Sequence, residues 1–315
     1  MKCIPHIILL LLLVTPLHSK TKKIVWKNHY LKNTTYTYNF AADTFSRSSK
    51  SGDESVYAYD IKTKMNFNIE STGNSGSYAS MQFDDFEIKI NFAYSKVHLF
   101  LKDLTEPDDL RKNTINFSDE KVDKIKFKVF LPSTGGIVFK NDNFKRELSK
   151  LFEDQVKELI KKEKRHKRRI DYLFTKDFWQ NLMSWHFMEV KKTQKVPGKK
   201  KASLEIFEVG KTSGSSVNAI NIEMSYFSLS QDNDGVIKLR VDGHVSNHNS
   251  IPGTSHSFGY SSFCRNLYET SKEGHLLKGL YDVTLGTTNT RNTGHYLKAT
   301  SNIEFVSKVA NKVSK

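Results

Sequence analysis

Cysteine is nearly absent, with Cys3 and Cys264 the two instances in 315 residues. Cys3 lies in the leading apolar segment, so removal of that segment leaves Cys264 alone and the mature chain without an internal disulfide. Stability must then come from a buried core, which this length permits. Cys264 follows Phe263 in an alternating run and is expected to be a buried free thiol. Long apolar runs are also missing beyond the first residues, so no later stretch is expected to span a bilayer. The opening MKCIPHIILLLLLVTPLHS holds a lysine, an apolar run from Ile7 to Val14, Pro16 and the small Ser19. This predicts a secretory signal peptide over residues 1–19 and a mature chain over 20–315. The competing reading is a membrane anchor, for which the run is short. The expected location is extracellular or the lumen of the secretory pathway. Asn33-Thr34-Thr35 and Asn116-Phe117-Ser118 are glycosylation acceptors, which predicts exposure at Asn33 and Asn116.

Catalytic signatures are missing too. There is no nucleophile elbow, Walker loop, zinc-protease helix or paired-carboxylate pattern, and abundant Ser and His do not make a triad. The expectation is a non-enzymatic protein without a cofactor. His244, His248 and His256 lie in GHVSNHNSIPGTSH near Asp242. They read as surface-loop histidines, because a metal site needs converging imidazoles and a carboxylate in a recognisable pattern. Acidic charge is in deficit, with 34 Asp+Glu against 49 Lys+Arg. That balance favours sulfated glycans, anionic lipid heads or acidic proteins as partners. Nucleic acid is not expected, since a secreted chain here carries no nucleic-acid module.

What the chain does have is alternation. In NTTYTYNFAADT, Tyr36, Tyr38 and Phe40 face one way and Thr35, Thr37 and Asn39 the other. Met65, Phe67 and Ile69 repeat the pattern, then Phe86, Ile88, Ile90 and Phe92, then Ile125, Phe127 and Val129 between Lys124, Lys126 and Lys128. VHLFL reads as a further strand. SRSSKSGDES, STGNSGS, EPDD and PSTGG read as the breaks between them. The C-terminal third alternates again in ASLEIFEV, NAINIEMSYFSLS, GVIKLRVDGHV, HSFGYSSF, GLYDVTLGT and HYLKATSNIEFVS. Such half-wet, half-buried runs predict an antiparallel sheet that curls or closes.

Between the two flanks the period changes. Phe144, Leu148, Leu151, Phe152, Val156 and Leu159 recur at three- and four-residue steps, which predicts one amphipathic helix capped by Asp142 or Asn143. It runs into KKEKRHKRR, Lys161 to Arg169, with seven basic side chains. Lys164, Arg165, Lys167, Arg168 and Arg169 have three readings: a solvated helix end, a contact for anionic partners, or a proprotein cleavage site at Arg165-His166-Lys167-Arg168. A second helical stripe follows through Ile170, Leu173, Phe174, Phe178, Leu182 and Trp185. Its aromatics Phe178, Trp179 and Trp185 have two readings, a lipid-surface contact beside the basic cluster or a core helix. VKKTQKVPGKKKASLE reads as an exposed basic loop turning at Pro197-Gly198.

Several short motifs in this order resemble a known family. Tyr36-Thr37-Tyr38 follows Trp26 and Tyr30. Phe127-Lys128-Val129 is followed by Gly135-Gly136 and by Ile137-Val138-Phe139. Then comes Asn143-Phe144-Lys145-Arg146-Glu147-Leu148-Ser149-Lys150-Leu151-Phe152, and HYLKATSNIEFVS closes the series. The series is similar to the N-terminal β-barrel of the large lipid transfer proteins, the vitellogenin, microsomal triglyceride transfer protein and apolipoprotein B family. The resemblance implies a mainly β protein with a central helical segment (α+β). It would be an antiparallel β-barrel enclosing or capped by one helix, a single barrel-like domain with a helical insert over about residues 141–190. In that reading Phe144, Leu148, Leu151 and Phe152 plug the barrel. Two departures stand out. The family's barrel usually carries disulfides, and its lipid cavity is built from a helical arch and further sheets C-terminal to the barrel, which this sequence does not contain. The expectation is therefore a free-standing module of lipid transport that binds a protein partner, a receptor or a lipid or lipoprotein surface. The alternative is a secreted basic β protein that binds sulfated glycans or an acidic protein and has no lipid role.

Overall fold

The computed structural model describes residues 22–24, 29–50, 53–95, 115–118, 124–140, 144–162, 167–184, 186–187, 194–196, 199–207, 217–244, 257–258, 263–289 and 293–311. The N-terminal flank opens with β1 (Lys22–Ile24) and the long strands β2 (Thr34–Lys50), β3 (Asp53–Gly73) and β4 (Gly76–Ser95). Short β5 (Ile115–Ser118), β6 (Phe127–Pro132) and β7 (Val138–Phe139) follow. The helices are α1 (Phe144–Leu151), α2 (Glu153–Lys162), α3 (Lys167–Leu173) and α4 (Lys176–Ser184). The C-terminal flank is β8 (Gln194–Val196), β9 (Lys199–Phe207), β10 (Val217–Gln231), β11 (Ile237–His244), β12 (Ser257–Phe258), β13 (Phe263–Thr270), β14 (Leu276–Asn289) and β15 (Thr293–Ala310).

Among the described residues, thirteen strands form one antiparallel sheet. Its order is β7-β6-β4-β3-β2-β15-β14-β13-β11-β10-β9, with β5 paired to β4 and β12 to β14. Strands β1 and β8 make a separate pair. The two flanks join where β15 lies along β2, in register from Gly294 opposite Ser49 to Ala310 opposite Thr34, with one bulge between Phe305 and Ser307.

The alternation read in the sequence is the alternation of burial. Tyr36, Tyr38, Phe40, Met65, Phe67, Ile69, Phe86, Ile88, Ile90, Phe127 and Val129 are all buried, while Lys124, Lys126 and Lys128 are exposed. The strands outrun the expected breaks. SRSSKSGDES narrows to a short link between β2 and β3, and STGNSGS to a two-residue turn with Gly73 opposite Gly76. Gly76 makes that turn possible. Its φ is +148°, and a Cβ there would stand 2.3 Å from the Leu131 carbonyl oxygen of β6. VHLFL, EPDD, Asp142 and Asn143 lie outside the described residues.

The helices pack on the inner face of the sheet. Phe144 sits 4.3 Å from Phe127, ring centre to ring centre, and 5.2 Å from Phe139. Phe152 stacks on Phe86 at 5.8 Å and meets Phe174 at 5.6 Å. Trp179 touches Phe83, Phe86 and Phe40, and its Nε1 donates to the Leu173 carbonyl at 3.0 Å. Each such side chain contributes about 1.5–3 kcal/mol by leaving water.

Three expectations about architecture are corrected. First, no hydrogen-bonded pair among the described residues joins β9 to β7, so the sheet is open where a barrel would close. The helices already cover the inner face of β2, β3, β4 and β6, so burial there does not require a facing wall of strands. Second, four helices among the described residues stand where one was expected to enclose or cap. The first helical stripe is divided at Phe152, yet Phe152 N–H donates to Leu148 and Val156 N–H to Phe152, so the hydrogen-bond ladder carries across. The second stripe breaks at Thr175, whose hydroxyl accepts from Phe178 N–H at 3.2 Å and caps α4. Third, the expected basic loop is partly strand. Residues 194–196 pair with β1, and Lys199 to Lys201 begin β9 opposite Ser225 to Glu223.

Candidate functional site

The sequence places its cations next to the helices, and the structure divides those helices into an apolar inner face and a charged outer one. Outward, Arg146, Lys150, Lys157, Lys161 and Lys167 are exposed. Lys157 pairs with Glu153, Lys161 with Glu158 at 3.0 Å and Lys167 with Asp171 at 3.7 Å. The Lys157 ammonium holds the Glu153 carboxyl below its ordinary range through a hydrogen bond and its charge. Exposed pairs of this kind contribute little to stability, because water and salt screen them. Lys164 and Arg165 lie outside the described residues, as do the Arg168 and Arg169 side chains. Lys167 and Arg168 belong to α3, so a protease cutting after Arg168 would have to unwind that turn.

Inward, Phe144, Leu148 and Phe152 are buried, and Leu151 is half-buried against the same core. Phe178 and Trp179 are core residues, 5% and 0% exposed, and this corrects the lipid-surface reading for both. Their rings are occupied by Tyr59 and Tyr172 on one side and by Phe83, Phe86 and Phe40 on the other. An aromatic stripe beside a basic cluster has the same sequence whether it faces lipid or sheet, and here the sheet offers the larger apolar partner. Trp185 lies outside the described residues.

Polar groups enter this interior at a few points. His186, just past α4, is fully buried with its ring edge-on to Phe40 at 5.7 Å. Its Nε2 lies 2.6 Å from the buried Ser301 hydroxyl of β15. Its Nδ1 abuts the Gly279 backbone of β14 without a well-formed hydrogen bond. Burial pushes this imidazole down to about 3. His275 is the second buried imidazole. Its Nδ1 is 2.9 Å from Ser271 Oγ and its ring packs on Tyr36 and Phe305. Burial, and then the nearby Lys308 ammonium, lowers its affinity for a proton. The Tyr30 and Tyr38 phenols face each other in the interior, and burial raises both. Neither histidine was singled out by sequence. The available signal was that Trp179, Met183 and His186 continue one helical stripe at steps of four and three, which puts an imidazole on an apolar face.

Asn33 is exposed in a left-handed turn before β2, with φ +55°. The Asn116 side chain lies outside the described residues, as do residues 1–21 with the expected signal peptide. His244 ends β11. Its side chain lies outside the described residues, as do His248 and His256 and the Cys264 side chain. No group of three His, Cys, Asp or Glu that could hold a metal occurs among the described residues. No helix among them is long and apolar enough to cross a membrane.

No family profile matches the chain, and no curated protein matches it. Among solved structures it is similar to lipovitellin, in a structure of that protein's lipid–protein interactions, with 8% identity and a TM-score of 0.46 over 91% of this chain and 26% of lipovitellin. The chain thus spans about a quarter of that protein's length. It is also similar to the translocator domain of the autotransporter NalP from Neisseria meningitidis, with 7% identity and a TM-score of 0.25 over 88% of this chain and 89% of that one.

Proposed function

We propose that the chain is a secreted, non-enzymatic β module of lipid transport, related to the N-terminal barrel of the large lipid transfer proteins, and that it works by contact with a protein partner, a receptor or a lipid surface. One observation supports this reading above the others. The segment Phe144 to Phe152 follows the Gly135-Gly136 turn and the strand at Val138–Phe139, and it lays Phe144, Leu148 and Phe152 on strands drawn from the preceding flank. That is the strand, turn and inward helix order of the motif series. The interior among the described residues is packed with aromatic side chains, which favours contact with a ligand at outer surfaces. The basic segment Lys164, Arg165, Lys167, Arg168 and Arg169 would supply it. On this reading the protein carries sugar at Asn33 and Asn116 and has lost its signal peptide.

A second reading is favoured by the net charge of +15. In it the same basic segment binds sulfated glycans or an acidic protein, with no lipid role. Flotation of the secreted protein with phosphatidylcholine vesicles containing phosphatidylserine, at physiological salt, separates the two. Co-flotation that is lost when the five basic residues become Ser supports the lipid reading. Absence of flotation, together with salt-sensitive retention on heparin, overturns it in favour of the second.

A further inference from the structure

The interface between the helices and the sheet holds a polar fastening that neither reading uses. His186 follows α4 directly, its N–H and that of Phe187 donating to the Met183 carbonyl at 2.9 and 3.0 Å. It is therefore fixed to the helical layer. Its ring crosses to the sheet at the β14–β15 pair, where Gly279 stands opposite Ile303 and Tyr281 opposite Ser301. The lack of a side chain at Gly279 makes the seat. A Cβ there would stand 2.9 Å from Nδ1 of His186 and 3.0 Å from Ile303 Cγ2. Ser301 closes the other end at 2.6 Å from Nε2, and Phe40 of β2 covers the ring.

We propose that His186 is an acid-sensitive latch, a neutral imidazole seated between Gly279, Ser301 and Phe40 that fastens the helical layer to the β14–β15 pair, and whose protonation releases that layer. Burial disfavours a positive charge in the seat, and the Gly279 backbone offsets that only in part. From β14 the seat presents Gly279, from β15 Ser301 and Ile303, and from β2 Phe40. The titratable side chains on the inward faces of these strands are Tyr36, Tyr38 and Tyr281, phenols that stay neutral throughout the acid range. No carboxylate among the described residues acts on the ring, whose proton affinity is lowered by burial. The sign follows. The folded protein resists protonating His186 down to about 3, whereas the released imidazole takes a proton near its ordinary value. The stability the latch gives is complete above that ordinary value and falls as pH drops below it. A released imidazole is about 30-fold more protonated than neutral at about pH 5, which sets the expected loss.

The test compares wild type with His186→Gln, which keeps a hydrogen-bonding group for Ser301 but does not titrate. Between about pH 7.5 and pH 5, urea unfolding of wild type should lose about 30-fold more in folding constant than the variant. The comparison removes the contribution of His275, common to both. Equal losses overturn the proposal. Amide hydrogen exchange, corrected for intrinsic rates, should show wild-type α3 and α4 losing protection before β3 and β4. Uniform loss across helices and strands overturns the release of a layer. Should the variant fold poorly, imidazole-labelled NMR of wild type decides alone: a His186 resonance titrating near 6.5 refutes the latch, and one unchanged down to about pH 5 supports it.

Discussion

Replacing Phe144 by Ala tests whether the central helices are held by the sheet. The Phe144 ring is fully buried, 4.3 Å from Phe127 and 5.2 Å from Phe139. Removing it takes away the ring's transfer energy and leaves a void walled by two aromatic side chains that cannot readily collapse. Phe→Ala changes at such sites cost about 3–5 kcal/mol. At an unfolding entropy of about 2.1 cal/mol/K per residue, a chain of roughly 300 residues shifts by about 1.6 °C per kcal/mol, so the midpoint should fall by roughly 5–8 °C. Lys150→Ala, on the exposed side of the same helix, is the control and should stay within about 0.5 kcal/mol of wild type. Phe144→Leu keeps apolar volume and should recover part of the loss. Urea denaturation followed by far-UV circular dichroism gives the free energies, and a thermal scan by the same signal gives the midpoint shift. If Phe144→Ala and Lys150→Ala are equally mild, the ring is not enclosed and the packing described for α1 is wrong.

Two further substitutions probe the connections. Gly76→Ala forces a side chain onto a backbone with φ +148° and to within 2.3 Å of the Leu131 carbonyl, so it should cost at least about 2–4 kcal/mol, measured by urea midpoint; a near-neutral result would mean the β3–β4 turn is shaped differently. Thr175→Ala removes the α4 cap and should cost about 1 kcal/mol in the same assay, while Thr175→Ser should be close to neutral; equal losses would remove the hydroxyl from the account.

Local pattern was readable wherever one face of a strand is wet. Tyr36, Tyr38 and Phe40 alternate with Thr and Asn because that strand separates core from water, and the Lys124, Lys126 and Lys128 series marks the outer side of β6 and its approach. Strand length was less readable. Ser, Arg and Lys in SRSSKSGDES have weak preferences, and pairing with β15 and β4 draws β2 and β3 out to 17 and 21 residues against them. Long-range pairing leaves no local trace, so neither the open edges nor the β2–β15 contact could be read from spacing. The same applies to His186, whose hydroxyl partner is 115 residues away. Its neighbours Trp179 and Met183 marked an inward stripe, but a lone imidazole in such a stripe has no spacing rule that names its seat.

The pairing of β2 with β15 sets translation order against spatial order. Thr44 must meet Ala299, and the chain between them is roughly 250 residues long. At about 5–20 residues per second, β2 spends on the order of 12–50 s on or near the ribosome before its neighbour on that side exists. During that wait it presents a bare edge beside Tyr36, Tyr38 and Phe40, a template on which other nascent chains could pair. Delayed completion of this kind places the molecule among slow, non-local folders. It also means that a nascent chain arrested anywhere before residue 293 leaves the ribosome with that edge still open.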